Sequence, residues 1–64
     1  MANYYRDVVD LLKENDCFFV RQGKGSHEIW QSRRTGKRFP VPYNLGTRHT
    51  ANGILKDAKI DKKL

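Results

Sequence analysis

The sequence contains little cysteine and no long apolar run. Cys17 is the one cysteine of the sequence, so an internal disulfide is excluded. A single cysteine is typical of a protein of the reducing cytoplasm. Because Cys17 opens an apolar run, we expect a buried side chain rather than a nucleophile. No apolar run approaches the roughly 20 residues of a membrane span, and the charged N-terminus does not fit a secretory signal. We therefore expect one small domain over residues 1–64, cytoplasmic and without membrane contact.

Residues that bind metals or form catalytic triads are also few. The candidate ligands Cys17, His27, Glu28 and His49 show no metal-ligand spacing, so we expect no metal ion and no other cofactor. Ser26 lacks the acid–base partners of a hydrolase triad. His49 lies near the start of a predicted helix, where the dipole disfavours its charged form. We expect it to be an exposed helix residue rather than a second catalytic base.

Acidic residues become scarce after residue 20. Residues 1–20 contain two Lys/Arg against four Asp/Glu, whereas residues 21–64 contain eleven against three, within a net charge of +6. This asymmetry indicates a polyanionic partner for the C-terminal two-thirds. RNA, an acidic protein and an anionic membrane all fit, and so does an ordinary solvated basic surface. The membrane fits least, because the sequence lacks a basic amphipathic helix with Trp or Phe anchors.

Hydrophobic periodicity and capping residues predict two helices around three strands. Asn3 and Thr47 are good N-caps, and apolar residues follow each at helical spacing. The predicted elements are a helix over Tyr4–Glu14, strands over Cys17–Gln22, Ser26–Ser32 and Lys37–Val41, and a helix over Arg48–Ala58. Residues 61–64 fit no pattern and are predicted to be frayed and solvated. This order predicts an α+β fold, a two-layer αβββα sandwich with a three-stranded antiparallel sheet and both helices on one face.

The first hairpin determines which side chains share a face of the predicted sheet. The two glycines of residues 23–25 permit the positive φ values of a tight bend, and a bend centred on Lys24 pairs Arg21 with His27. This register directs one set of side chains towards the core: Phe18, Val20, Trp30, Phe39 and Val41. The other face carries Phe19, Arg21, His27, Ile29, Gln31 and Arg38. Pro40 and Pro42 place the third strand at an edge of the sheet, because a central strand does not tolerate two missing N–H donors.

His27 carries the chemistry that this open face offers. An imidazole beside the Arg21 guanidinium suits phosphate binding and proton transfer near neutral pH, and hence RNA cleavage with His27 as acid–base catalyst. Gly25 and Ser26 support this site in the turn. The predicted phosphate contacts are basic residues on turns, the sheet edge and the helix start: Lys24, Arg33, Arg34, Lys37, Arg38 and Arg48. A non-catalytic RNA-binding module of the double-stranded-RNA-binding type and a protein that binds an acidic partner remain alternatives.

Several short motifs follow one another in a specific order. They are a Phe-rich first strand, Gly25-Ser26-His27, the pair Val41-Pro42 and the segment Arg48–Ala58. In this order they resemble the HicA-type toxins of bacterial and phage toxin–antitoxin pairs, over nearly the whole chain. The resemblance implies a double-stranded-RNA-binding-domain-like fold, metal-independent cleavage of mRNA, a catalytic histidine that falls on His27, and a HicB-type antitoxin as partner. Two departures concern the last helix: Ala58-Lys59-Ile60 stands in place of Ala-Gly-Leu, and Gly53 stands where alanine is frequent.

Overall fold

The computed structural model describes residues 3–64, which form two helices and a three-stranded antiparallel sheet. In chain order these are α1 (Tyr5–Glu14), β1 (Cys17–Gln22), β2 (His27–Ser32), β3 (Arg38–Pro42) and α2 (Arg48–Asp57). Every boundary lies within one residue of the predicted one. The strand order β1-β2-β3 confirms the predicted α+β class. None of the helices in the described part of the chain is long and apolar enough to cross a membrane.

Polar side chains determine where both helices begin. The Tyr5 N–H donates to Oδ1 of Asn3 at 3.0 Å, so the predicted cap residue binds the first turn of α1, although Tyr4 occupies the N-cap position. At α2 the Thr50 N–H donates to Oγ1 of Thr47 at 3.3 Å, as predicted. Each bond satisfies one of the backbone donors that a helix start leaves without an intrahelical partner.

The core lies between the two helices and one face of the sheet. Its buried side chains include Val8, Val9 and Leu12 of α1, Ala51, Ile54 and Leu55 of α2, and Trp30, Phe39 and Val41 of the sheet. The side chains of β2 alternate, so that Glu28, Trp30 and Ser32 are buried while those between them are not. Both helices therefore cover the same face, and the other face of the sheet is left without a helix.

The register of the first hairpin differs from the predicted one, and β1 contains a β-bulge. The Cα partners are, in order, Phe18↔Gln31, Phe19↔Trp30, Arg21↔Ile29 and Gln22↔Glu28. The predicted pair Arg21–His27 is wrong because the bend centres on Gly25, with φ 58°, rather than on Lys24, which makes Ile29 the partner of Arg21. Val20 is an extra residue in β1 that opposes no residue of β2, and it shifts the partners of Phe18 and Phe19 by one residue.

The shifted register exchanges the predicted positions of the two phenylalanines. Phe18 pairs with Gln31 and so lies on the side of the sheet away from the helices, where it is half-buried. Phe19 pairs with Trp30 on the helix side, with ring centroids 6.3 Å apart, and is 48% exposed on the edge strand β1. Val20, predicted in the core, is half-buried at the bulge. A slip of one residue changes the face of every side chain that follows it.

The second hairpin has the predicted register. Trp30 pairs with Phe39 and Glu28 with Val41, and β3 lies at an edge of the sheet, as its prolines indicate. We call the side of the sheet away from the helices the open face. By register it carries Phe18, Arg21, His27, Ile29, Gln31, Arg38, Pro40 and Pro42.

The C-terminal segment ends in contact with the helices, so the prediction of a frayed and solvated tail is wrong for Leu64, whereas Asp61, Lys62 and Lys63 are exposed. Lys59 takes the left-handed conformation, with φ 60°, and the Ile60 N–H donates to the Leu55 carbonyl at 2.9 Å, which together form a Schellman motif. Ile60 is buried. The Leu64 N–H donates to Oδ1 of Asn52 at 2.7 Å, and Leu64 packs against the core. Burial of the apolar side chains of Ile60 and Leu64 stabilises this arrangement.

Candidate functional site

His27 is the first residue of β2 and lies exposed on the open face. The backbone N–H of His27 donates to the Lys24 carbonyl at 3.0 Å, and the backbone carbonyl of His27 accepts from the Gly23 N–H at 2.9 Å. Its partner in β3 is Pro42. Because glycine has no side chain and proline only a short apolar one, neither neighbour offers a polar group that competes for the imidazole. A ligand on the open face therefore has access to it.

The bulge places Arg21 on the same face as His27. Without the extra residue, the register of the first half of β1 would pair Arg21 with Glu28, on the buried side. The observed partner, Ile29, makes His27 a diagonal neighbour of Arg21, at about 7–8 Å between Cα atoms. The arginine lies beside the histidine rather than opposite it, and its Nη1 donates to the Gln22 carbonyl at 3.3 Å.

The turn before His27 brings three further predicted site residues together. Lys24, Gly25 and Ser26 are all exposed at this end of the sheet. Gly25 takes a positive φ that other residues rarely adopt. The Ser26 carbonyl accepts from the Tyr43 N–H at 2.9 Å, which joins the turn to the end of β3. One cation and one histidine therefore lie next to each other at the hairpin tip.

Three predicted phosphate contacts lie at the opposite end of β2: Arg33, Lys37 and Arg38. Six positions separate His27 from Arg33, which is about 20 Å along an extended strand. The Arg33 guanidinium lies 4.5 Å from the ring centroid of Phe18, and Nε of Arg38 donates to Oε1 of Gln31 at 3.1 Å. Arg33 and Arg38 extend positive charge along the open face, Lys37 lies opposite Ser32, and none of the three surrounds His27.

Arg34 and Arg48, the remaining predicted phosphate contacts, belong to the helix side. Nη2 of Arg34 donates to the Lys59 carbonyl at 3.2 Å, where it satisfies an acceptor just beyond the end of α2. Arg48 is exposed as the first residue of α2. Arg34 therefore binds on the helix side, which the helices cover, rather than on the open face with His27.

A buried carboxylate that is absent from the predicted site follows His27 in β2. Oε1 of Glu28 accepts from the Tyr5 hydroxyl at 2.7 Å and from Nε1 of Trp30 at 3.0 Å. Burial alone would raise the pKa of Glu28, but the hydrogen bonds from Trp30 and Tyr5 outweigh it and lower the pKa below its ordinary 4.5. Burial and the bond to Glu28 raise the pKa of Tyr5 to about 12. The alternation of β2 is the sequence signal for this group, since it places Glu28 on the buried side.

Gln22 and Tyr43 bind the hairpin tip, and they too are absent from the predicted site. Nε2 of Gln22 donates to the carbonyls of His27 at 3.1 Å and Gly25 at 3.4 Å. The Tyr43 hydroxyl donates to Oε1 of Gln22 at 3.3 Å, and the nearby Glu28 carboxylate raises the pKa of Tyr43. No periodic pattern in the sequence predicts these contacts.

Cys17 and the potential metal ligands lie apart from this arrangement. Cys17 is buried, as predicted, and burial raises the pKa of its thiol, which disfavours the reactive thiolate. Within residues 3–64, no three His, Cys, Asp or Glu side chains are grouped as ligands for a metal ion. The acid–base candidate of the open face is therefore His27.

Fold and site together define a small basic α+β domain with an exposed histidine at the tip of a sheet hairpin. The family model for the HicA toxin of bacterial toxin–antitoxin pairs matches residues 5–60, which include all five elements. The chain belongs to the HicA toxin family, as its motifs predict, and is thus the toxin of a toxin–antitoxin pair. No curated protein and no solved structure matches the chain.

Proposed function

We propose that this toxin is an endoribonuclease that cleaves mRNA, with His27 as its acid–base catalyst. The supporting observation is the exposed His27 on the open face, with Arg21 as a diagonal neighbour and Lys24 in the adjoining turn. An imidazole gains and loses a proton near neutral pH, as acid–base catalysis requires. Membership of the HicA toxin family supports the same activity.

In the proposed reaction, the neutral imidazole of His27 removes the proton of a ribose 2′-hydroxyl, and the 2′-oxygen attacks the adjacent phosphorus. The bond between phosphorus and the 5′-oxygen breaks, and the leaving oxygen takes up one proton in exchange for the one that His27 removed, so that the step is balanced. Arg21 and Lys24 stabilise the negative charge that develops on the phosphoryl oxygens. One product ends in a 2′,3′-cyclic phosphate and the other in a 5′-hydroxyl, and no step uses a metal ion.

The far end of the open face supports binding of the RNA backbone in this proposal. Arg33 and Arg38 are exposed there, and the contact of Arg33 with Phe18 keeps its guanidinium on this face. Phosphate contacts of this kind are independent of base sequence and weaken as salt rises. Binding of RNA and its cleavage therefore depend on different residues.

Cleavage of a defined mRNA by the purified toxin in EDTA tests this function. We expect cyclic-phosphate and 5′-hydroxyl ends from the wild-type chain, and loss of most turnover with retained RNA affinity in His27→Ala. His49→Ala is the matched control, because His49 is exposed in α2. Products with 5′-phosphate ends, or undiminished cleavage by His27→Ala, would contradict the mechanism. RNA binding without cleavage would instead favour the non-catalytic RNA-binding module.

The partner of this toxin, in the same proposal, is a HicB-type antitoxin that covers His27. The open face presents half-buried Phe18 and Ile29 beside Arg21, which fits an apolar contact surrounded by acidic side chains. Inhibition then competes with RNA. A hydrogen-exchange map of the complex should show protection of the β1–β2 hairpin. Protection confined to α1, with RNA still bound, would defeat the competitive model.

A further inference from the structure

The hairpin tip that carries His27 is held by a side chain as well as by the backbone. The His27 carbonyl accepts two hydrogen bonds, from the Gly23 N–H at 2.9 Å and from Nε2 of Gln22 at 3.1 Å. The same amide group donates to the Gly25 carbonyl at 3.4 Å. A single side-chain amide therefore spans the turn and binds both ends of the segment Gly25-Ser26-His27.

Tyr43 in turn orients the Gln22 amide. Its hydroxyl donates to Oε1 of Gln22 at 3.3 Å, which directs the NH₂ group of that amide to the turn carbonyls. Its backbone N–H donates to the Ser26 carbonyl at 2.9 Å, so Tyr43 holds the turn at a second point. The ring of Tyr43 lies 5.3 Å from that of Tyr5, whose hydroxyl donates to buried Glu28 at 2.7 Å.

These contacts connect the core to an exposed turn whose glycine would otherwise leave it mobile. We infer that Gln22 and Tyr43 are positioning residues, which keep the His27 imidazole at one place over the open face. The inference rests on the proposed catalytic role of His27. Neither residue is needed for a chemical step. Gln22 and Tyr43 increase the fraction of bound RNA that lies against a correctly placed imidazole, and they therefore affect kcat.

Substitutions that remove polar atoms but keep size test the inference. We expect Gln22→Met to lower kcat about tenfold, because a small displacement of a catalytic group is costly, and to leave KM unchanged. Asn15→Leu is the matched control, since Nδ2 of Asn15 donates to the Leu11 carbonyl at 2.8 Å, the same kind of side-chain-to-backbone bond at the end of α1. It should change neither constant. A loss confined to KM would make Gln22 an RNA contact and overturn the inference.

Tyr43→Phe provides a second variant that keeps the ring packed on Tyr5. It should lower kcat less than Gln22→Met, because the Gln22 amide retains its turn carbonyls. The double variant should lose no more kcat than Gln22→Met alone, since Tyr43 acts through that amide. Losses that add in the double variant would contradict this serial arrangement.

The backbone order of His27 gives a readout that does not depend on cleavage. The NMR order parameter of the His27 backbone N–H should fall in Gln22→Met and stay at the wild-type value in Asn15→Leu. If the wild-type chain does not cleave RNA, the proposed function fails, while this comparison still decides whether Gln22 orders His27. An unchanged order parameter in Gln22→Met, or an equal drop in Asn15→Leu, would overturn the inference.

Discussion

The hydroxyl of Tyr5 donates to Oε1 of Glu28 at 2.7 Å, across 23 positions of the sequence. This bond joins the first turn of α1 to the strand that begins with His27. The carboxylate is buried, and its two nearest donors, Tyr5 and Trp30, are neutral groups. Each of these bonds therefore offsets part of the cost of removing a carboxylate from water.

Removal of the Tyr5 hydroxyl should destabilise the fold. Tyr5→Phe keeps the ring but deletes a hydrogen bond to a charged group, so we expect a loss of about 1.5–3 kcal/mol in the free energy of unfolding, measured with urea. Tyr4→Phe is the control, because Tyr4 packs against the core outside this cluster. Equal losses in the two variants would show that the bond to Glu28 contributes nothing specific.

The stability of the fold should decrease at both ends of the pH range. The pKa of Glu28 is lowered from an ordinary 4.5, so its contribution is present above pH 4.5 and is lost as the pH falls through the lowered value. The pKa of Tyr5 is raised from 10.0 to about 12, so its contribution is present below pH 10 and is lost as the pH rises towards 12. Urea unfolding across this range measures both limbs. Glu28→Gln should flatten the acid limb and Tyr5→Phe the alkaline one; curves parallel to wild type would contradict the assignment.

Two substitutions in and after α2 should stabilise the protein. Lys59 has a φ of 60°, which is unfavourable for a residue with a Cβ, so Lys59→Gly should gain about 1 kcal/mol. Gly53→Ala should gain a similar, roughly 1 kcal/mol, amount, because an added Cβ there meets no atom within 4 Å. Thermal unfolding checks both, with Gly36→Ala as the opposite control, since Gly36 has φ 74°. A lower melting temperature for Lys59→Gly would refute the strain argument.

Gly23→Ala should impair the site more than the fold. Of the two glycines beside Lys24, only Gly25 has a positive φ; Gly23 instead avoids a tight contact, because a Cβ there would lie 3.1 Å from the His27 carbonyl oxygen and 3.3 Å from Cδ1 of Ile29. The backbone of His27 must then move, and we expect RNA cleavage to fall by about tenfold. Gly46→Ala, whose added Cβ meets nothing within 4 Å, should cleave RNA normally. Full activity of Gly23→Ala would argue against a tightly placed His27.

The neighbouring arginines Arg33 and Arg34 should differ in their effect on RNA binding. Arg33 lies on the open face against Phe18, so Arg33→Ala should weaken binding and reduce the slope of log affinity against log salt by about 1. The guanidinium of Arg34 instead binds the Lys59 carbonyl, so Arg34→Ala should leave that slope unchanged and lower the stability by about 1 kcal/mol. Fluorescence anisotropy over a series of salt concentrations measures the slopes. An equal reduction of this slope in the two variants would indicate that both arginines contact the RNA.

The sequence by itself determined the elements and part of the site. Caps such as Asn3 and Thr47 act within one helical turn, and the prolines of β3 act on the backbone of their own strand, so these signals are readable without the fold. The motif Gly25-Ser26-His27 is contiguous, which is why its residues could be placed together at one turn. Charge alone could not distinguish the roles of Arg33 and Arg34, because the two side chains are identical and differ only in their contacts in the tertiary structure.

Only the tertiary structure decided how the first hairpin pairs and what supports it. The extra residue Val20 leaves every local propensity unchanged, yet it places Arg21 on the open face near His27 rather than opposite buried Glu28. The partners of Gln22 and Glu28 lie 21 and 23 positions away, in segments whose own patterns predict a strand end and a helix start. The physical reason is that hydrogen bonds and register depend on distances in space, which a chain sets only after its apolar faces have packed.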